Sequence, residues 1–124
     1  MIKLVFPLHR RPDLTREEFQ THWRETHAPL VIERAATLGI KRYVQVHTSN
    51  TPINQGLREG RGGPEAYDGT AELWFESESS LMASLERPEW TAASGALIED
   101  EHNFVDLTRS PLWLGDELVI VDSD

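Results

Sequence analysis

The stretch IKLVFPLHRRPDLTREEFQTHWRETHAPLV, residues 2–31, decides the fold class because it carries the signals of a strand followed by a helix. Residues 2–9 are apolar and rich in strand formers, and Arg-Arg-Pro ends the run. Thr15, with Glu18 three positions later, has the pattern of a capping box and predicts a helix start. Four residues that recur at three- and four-residue spacing give this helix one apolar stripe; they are Phe19, Trp23, Thr26 and Leu30.

Pro29 interrupts the helix pattern, because proline has no backbone N–H to donate. We expect a kink or restart near residues 27–28 and an end at Gly39. The polar residues 50–66, rich in Gly and Pro, predict a long loop. The remaining pattern predicts strands at 40–49 and 70–76, helices between 77 and 98 with a break at Pro88, and a last strand drawn from 104–107 and 114–121.

The resulting order is strand–helix–strand–strand–helix–strand. It packs most economically as a ferredoxin-like α+β sandwich, with a four-stranded sheet and both helices on one face. The more apolar face, expected beneath the helices, comprises Leu4, Phe6, Leu8, Ala71, Leu73, Phe75, Leu118 and Ile120.

The opposite sheet face is half apolar, since Val5, Trp74, Val119 and Val121 alternate there with charged residues. An open face of this kind usually has a partner, so we expect a homodimer that packs sheet to sheet. In the ferredoxin-like order the first strand lies between the third and fourth. This order predicts that three charged residues meet on the outer face, with Lys3 between Glu72 and Glu117.

Composition narrows the function classes. The 124 residues suffice for one small domain, spanning 1–124, and the net charge of −9 disfavours phosphate backbones and anionic membrane surfaces as partners. The absence of cysteine excludes disulfides, thiolate catalysis and sulfur-ligated metals, and is compatible with a cytoplasmic location. We see no pattern of a signal peptide or a transmembrane helix. We expect neither nucleic-acid nor membrane binding, and no metal site or cofactor.

The N-terminal stretch resembles the opening of the EthD family, in its strand, its basic-Pro turn, LTREEF, Trp23 and the segment HAPLV. AYDGTAELWFES and DEHNF resemble that family's later segments in the right order. The resemblance implies the dimeric α+β barrel fold. It also implies a pocket for small-molecule chemistry, because proteins of this fold include cofactor-free cyclases, dehydratases, isomerases and monooxygenases, beside members of unknown role. It does not choose the reaction.

His27 is the first candidate for acid–base chemistry. It lies about a quarter turn from the apolar stripe, so its ring can reach the edge of the space between helix and sheet. The histidine of HAPLV in the EthD resemblance falls on the same position. A purely structural role, in which the ring satisfies the helix turn broken by Pro29, stays open at this stage. His22, five positions earlier, is expected on another face of the helix.

Tyr43 and His47 lie four residues apart on one predicted strand and therefore on the same face. A phenol can donate to a developing enolate while an imidazole accepts a proton. The alternatives are that Tyr43 packs at the dimer interface and that His47 is solvated near the strand end.

Our interpretation is a cofactor-independent enzyme with His27 as base and Tyr43 as donor. The resemblance suggests an apolar or aromatic carbonyl compound of catabolism or secondary metabolism as substrate. A non-catalytic carrier, or a cofactor-free monooxygenase accessory to ether or aromatic degradation, would use the same pocket. The expected substrate contacts are Phe6, Trp23, Leu73, Phe75, His47 and Trp90.

Overall fold

A computed structural model describes residues 1–123 of the chain. The strands are β1 (Ile2–Leu8), β2 (Ile40–His47), β3 (Gly69–Phe75) and β4 (Trp113–Asp116). The helices are α1 (Arg16–His22), α2 (Ala28–Leu38), α3 (Pro52–Arg61), α4 (Glu78–Leu85) and α5 (Pro88–Glu101). A π-helical turn (Trp23–His27) joins α1 to α2, and a 3₁₀ turn (Leu107–Arg109) precedes β4. Within residues 1–123, no helix is long and apolar enough to cross a membrane.

The four strands form one antiparallel sheet in the order β2-β3-β1-β4. Phe6 and Ala71, on neighbouring strands, point to the same side and pack in one core with Phe19 and Trp23 from the first helical segment. A second core cluster joins α2 to α5. The chain therefore has the ferredoxin-like α+β fold that its sequence predicts.

The first helix begins as the capping pattern predicts. The Thr15 hydroxyl accepts from the backbone N–H of Glu18 at 3.1 Å, and the Glu18 carboxylate accepts from the backbone N–H of Thr15 at 2.9 Å. These reciprocal bonds satisfy backbone donors that a helix start leaves open. They orient α1 so that Phe19 is completely buried.

Asp68 and Gly69 anchor the start of β3 to the first helical segment. The buried Asp68 carboxylate accepts from the backbone N–H of Arg10 at 2.8 Å, from its guanidinium at 2.6 Å and from Arg16 Nε at 3.0 Å. Burial raises the pKa of Asp68, but these hydrogen bonds outweigh it and lower the pKa overall. Gly69 lies directly against the Trp23 ring, and a Cβ at this position would overlap that ring.

The charged cluster on the outer sheet face is confirmed. Lys3 Nζ lies 2.5 Å from Glu72 Oε1 and 3.4 Å from Glu117 Oε2. The ammonium also stands 4.6 Å from the centre of the Trp74 ring, and the Arg42 guanidinium lies 4.8 Å from the same ring. The outer face therefore presents an indole held between two cations.

The long loop expected over residues 50–66 is wrong, because the segment contains α3. The Thr51 hydroxyl accepts from the Ile53 N–H at 3.3 Å, and Pro52 occupies the first helical turn. Gly62 ends the helix in the left-handed conformation at φ 63°. Pro and Gly, which we took as loop signals, stand here at the positions where helices begin and end.

The last strand is shorter than expected, and 104–107 is not part of it. β1 begins at Ile2, which pairs with Asp116, so residues beyond 116 have almost no β1 left to pair with. Residues 118–121 are 66 to 85% exposed and belong to neither face of the sheet, contrary to the predicted faces. Phe104 instead joins the core beneath the helices.

Candidate active site

A cavity of about 390 Å³ lies between the helices and the sheet. Its volume falls in the range of small-molecule sites. Its walls are apolar apart from four side chains, those of His27, Tyr43, Ser94 and Glu101. Five of the six expected substrate contacts line this cavity, namely Phe6, Trp23, Leu73, Phe75 and Trp90.

Pro29 shapes the backbone that carries His27. Because proline has no N–H, the regular helix pattern cannot continue through it. The helix widens at this point into the π turn, in which the Ala28 N–H donates to the carbonyl of Trp23. The expected kink near residues 27–28 is therefore a π turn, a feature frequent at functional sites. His27 ends the turn with 5% of its surface exposed.

Asp100, near the end of α5, holds two histidines. His27 Nδ1 lies 2.7 Å from Asp100 Oδ2, and His22 Nε2 lies 3.0 Å from Asp100 Oδ1. Asn103 adds a third hydrogen bond at 3.3 Å. His22 and His27 therefore share a partner, and our expectation that they lie on different faces of the helix is wrong. The π turn inserts an extra residue per turn, which brings side chains five positions apart to one side.

The bond to Asp100 fixes which His27 nitrogen is available. An ionised carboxylate accepts only, so Nδ1 carries the hydrogen and Nε2 keeps its lone pair. Among residues 1–123, Nε2 has no hydrogen-bond partner. No fully buried side-chain nitrogen or oxygen in this range lacks a partner, so Nε2 must retain contact with open space. Because His27 lines the cavity, that space is the cavity.

The charges of the pair follow from burial and hydrogen bonding. Burial lowers the pKa of His27, although Asp100 opposes this effect. Burial raises the pKa of Asp100, but the hydrogen bonds from His27, His22 and Asn103 outweigh it and lower the pKa overall. At neutral pH the pair is therefore a neutral imidazole and a carboxylate. This arrangement lets Nε2 accept a proton, with the resulting imidazolium stabilised by Asp100.

Tyr43 faces the same cavity from β2. Its hydroxyl oxygen accepts from Gln45 Nε2 at 2.7 Å, which leaves the phenolic hydrogen for a further acceptor. Burial raises the pKa of Tyr43, so the phenol is protonated at neutral pH. His47 does not line the cavity; it lies 2.8 Å from Gln45 Oε1 and packs on the Trp23 ring. Gln45 therefore links His47 to Tyr43, but the structure does not bring His47 to the cavity beside His27.

Sequence reasoning missed Asp100 and Glu101. It ended the last helix at residue 98, whereas α5 extends through Glu101. The three- and four-residue spacing of Ala93, Leu97 and Phe104 marks the buried side of this helical segment. Asp100 falls on the same spacing, so this periodicity would have indicated that it is buried. Burial, aided by the negative charge of Asp100, raises the pKa of Glu101 to about 7.

The chain is therefore a ferredoxin-like α+β domain whose apolar cavity, between helices and sheet, carries acid–base groups in its wall. The chain belongs to the EthD family. The EthD domain model matches residues 11–108.

Two curated relatives resemble the chain over most of its length. Decarboxylase claH of Passalora fulva is 26% identical over 112 residues, which cover 86% of this chain and 70% of that protein. Dehydratase CTB10 of Cercospora beticola is 29% identical over 107 residues, covering 82% of this chain and 77% of that protein.

Solved structures show the same fold. A crystal structure of an EthD family protein from Bacillus halodurans matches with a TM-score of 0.62 and 21% identity, over 95% of this chain and 99% of that one. A dimeric protein of unknown function and ferredoxin-like fold from Bacteroides fragilis matches with a TM-score of 0.58 and 12% identity, over 94% and 95%.

Proposed function

We propose that this protein is an enzyme that removes a proton next to the carbonyl group of an apolar small molecule, using its own side chains as acid and base. The observation that carries the proposal is the His27–Asp100 pair, which presents an unpartnered Nε2 to an apolar cavity. A carrier of the same molecule would need the apolar walls but not this pair.

Two side chains divide the proton chemistry in this proposal. His27 Nε2 takes the proton from the carbon next to the carbonyl, and the C–H electron pair moves toward the carbonyl oxygen. The Tyr43 hydroxyl donates a hydrogen bond to that oxygen as its charge develops. Asp100 acts as a positioning residue, since it holds the imidazole in one tautomer and stabilises its protonated form.

The cavity walls favour a flat, apolar substrate. Phe6, Phe75 and Trp90 place aromatic rings around the space, and Leu73 lies on the sheet side. Aromatic side chains contribute large apolar contact areas to such sites. The names of the two curated relatives, a decarboxylase and a dehydratase, fit reactions that pass through an enolate or an enol.

Hydrogen exchange on a simple ketone separates the enzyme from the carrier. The probe is 2-tetralone, a two-ring ketone, dissolved in D₂O with the protein, and its deuterium uptake is followed by NMR. We expect uptake to accelerate with the wild type and to fall about 10²- to 10⁴-fold with His27→Gln. Binding of 2-tetralone without accelerated uptake would favour the carrier and contradict the proposal. Circular dichroism checks that the variant is folded.

We also propose a homodimer in which the outer sheet faces of two copies meet. Trp74 and Val5 give this face an apolar part between its charged groups, and residues 118–121 add apolar surface that the described chain leaves 66 to 85% exposed. The dimeric protein from Bacteroides fragilis supports this assembly, since it shares the fold. A cytoplasmic location stays a prediction.

A further inference from the structure

Glu101 lies in the cavity wall without a role in the mechanism above. It stands at the end of α5, directly after Asp100, and it lines the cavity that His27 and Tyr43 also line. Among residues 1–123, its carboxyl group has neither an ion-pair nor a hydrogen-bond partner. No fully buried side-chain oxygen in this range lacks a partner, so the Glu101 carboxyl is not sealed off from open space, and the residue lines the cavity.

The groups around Glu101 favour its protonated form. Apolar walls disfavour a carboxylate, and the negative charge of Asp100, which is itself held by His27 and His22, disfavours it further. The pKa of Glu101 is raised to about 7. An ionised Glu101 would in turn raise the pKa of Tyr43, so the two groups interact electrostatically. Below a pH of about 7, Glu101 is mainly a carboxylic acid that can give up its proton.

The cavity also selects the charge of its substrate. Among the described residues that line it, none is Lys or Arg. A substrate carboxylate would meet the Asp100 charge and a carboxyl group without a cation to offset its desolvation. A neutral molecule avoids that cost, and a hydroxyl group can accept a hydrogen bond from Glu101.

We propose that Glu101 protonates a leaving hydroxyl group, and that the cavity takes a neutral, flat β-hydroxy ketone and removes water from it. This inference rests on the proposed function and names its substrate class. It favours dehydration over decarboxylation, because dehydration expels a hydroxyl group that the acid can protonate, whereas decarboxylation releases CO₂ from a substrate carboxylate that this cavity disfavours.

The step balances without a further reactant. His27 Nε2 takes the proton from the carbon next to the carbonyl, giving an enolate that Tyr43 stabilises. The enolate electrons then form the carbon–carbon double bond, and the carbon–oxygen bond to the hydroxyl breaks. The departing oxygen takes the Glu101 proton and leaves as water. The proton on His27 returns to Glu101 through solvent, so the net change is loss of one water molecule.

The test uses 3-hydroxy-1-tetralone, which becomes 1-naphthol when it loses water, so that naphthol fluorescence reports the rate. Glu101→Gln keeps the shape of the side chain but removes its acidic proton. We expect Glu101→Gln to lower the dehydration rate about 10²-fold or more, while hydrogen exchange on 2-tetralone stays within a few-fold of wild type. The matched control is Glu99→Gln, an exposed position on the same helix, which should leave both rates unchanged.

The pH profile adds a readout that a structural role would not move. Wild-type dehydration needs neutral His27 and protonated Glu101, so it should decline above a pH of about 7, and Glu101→Gln should lose that decline. Unaltered dehydration by Glu101→Gln, or an equal loss of exchange and dehydration, would overturn the inference but leave the proposed function intact. Exchange on 2-tetralone without any wild-type dehydration would do the same. Absence of exchange in the wild type would overturn both.

Discussion

Nδ1 of His27 lies 2.7 Å from Oδ2 of Asp100, although 73 positions separate the two residues in the sequence. The π turn aims one side chain and the end of α5 supplies the other, so the pair forms only when the helices pack on the sheet. His22 and Asn103 hold the same carboxylate from two further directions. This network fixes the orientation of a buried imidazole whose other nitrogen meets the cavity.

Asp100→Asn tests the positioning role. An amide oxygen can still accept from His27 Nδ1, but it carries no charge to stabilise the imidazolium. We expect hydrogen exchange on 2-tetralone to fall about 10²-fold or more, with 2-tetralone binding retained. Exchange by NMR and binding by isothermal calorimetry measure the two effects. Wild-type exchange in a folded Asp100→Asn variant would show that the carboxylate has no part in the chemistry.

Glu101 should make stability depend on pH in a recognisable way. Its pKa rises from the ordinary 4.5 to about 7 in the folded chain, so folding favours the neutral form. That contribution is fully present below pH 4.5 and is lost as the pH rises through about 7. Glu101→Gln has no charge to bury, so we expect it to exceed wild-type stability at pH 8 by roughly 2–3 kcal/mol.

Urea unfolding of wild type and Glu101→Gln at pH 4.5 and pH 8 measures this difference. The gain should disappear at the lower pH, and Glu99→Gln should show no gain at either. An equal gain at both pH values would mean that the substitution acts through packing rather than through charge.

Gly69→Ala should destabilise the fold. A methyl group there would overlap the Trp23 ring and approach the carbonyl of Val46, so buried groups must shift. We expect a loss of about 1–3 kcal/mol in the free energy of unfolding. Gly95→Ala is the matched control, because it meets open space within α5 and should add about 0.5–1 kcal/mol. Thermal unfolding of both variants checks the contrast, and equal stabilities would refute the close packing of Trp23 on Gly69.

Trp74→Glu tests the sheet-to-sheet homodimer. The substitution places a third carboxylate beside those of Glu72 and Glu117 on the outer sheet face. Repulsion between the faces of two copies should then oppose dimer formation. Light scattering should give twice the chain mass of 14.1 kDa for wild type and a single chain mass for the variant. Ile32→Glu, exposed on α2, should stay dimeric. A wild type that is monomeric at micromolar concentration contradicts the assembly.

Much of the fold could be predicted because its signals are local. The Thr15 cap, the stop at Gly39 and the alternation along β1 each depend on a few neighbouring residues. The helix at Pro52–Arg61 escaped prediction because it buries no residue, and its apolar side consists only of Ile53 and Leu57, too few to indicate a helix that packs on a core. The length of β4 escaped because it depends on where β1 starts, a long-range pairing.

The site was only half predictable for a related physical reason. His27, Tyr43 and the aromatic walls follow from the faces of single elements, which periodicity reveals. Asp100 and Glu101 acquire their roles because they are buried against other elements. An acidic run indicates such burial only when the apolar periodicity of the helix is traced through it. His22 and His27 both reach Asp100 because of the π turn. From the sequence, Pro29 predicts a break in the helix but not that the break takes the form of a π turn.

The pH dependence of hydrogen exchange on 2-tetralone shows whether His27 is the base. Burial lowers the pKa of His27 from its ordinary 6.5, and the base acts only when neutral. We expect the wild-type exchange rate, corrected for the protein-free reaction, to rise with pH to a plateau reached by about pH 7, and His27→Gln to lack this rise. A rate that keeps rising with pH above 8, or a His27→Gln variant with the wild-type profile, would contradict it.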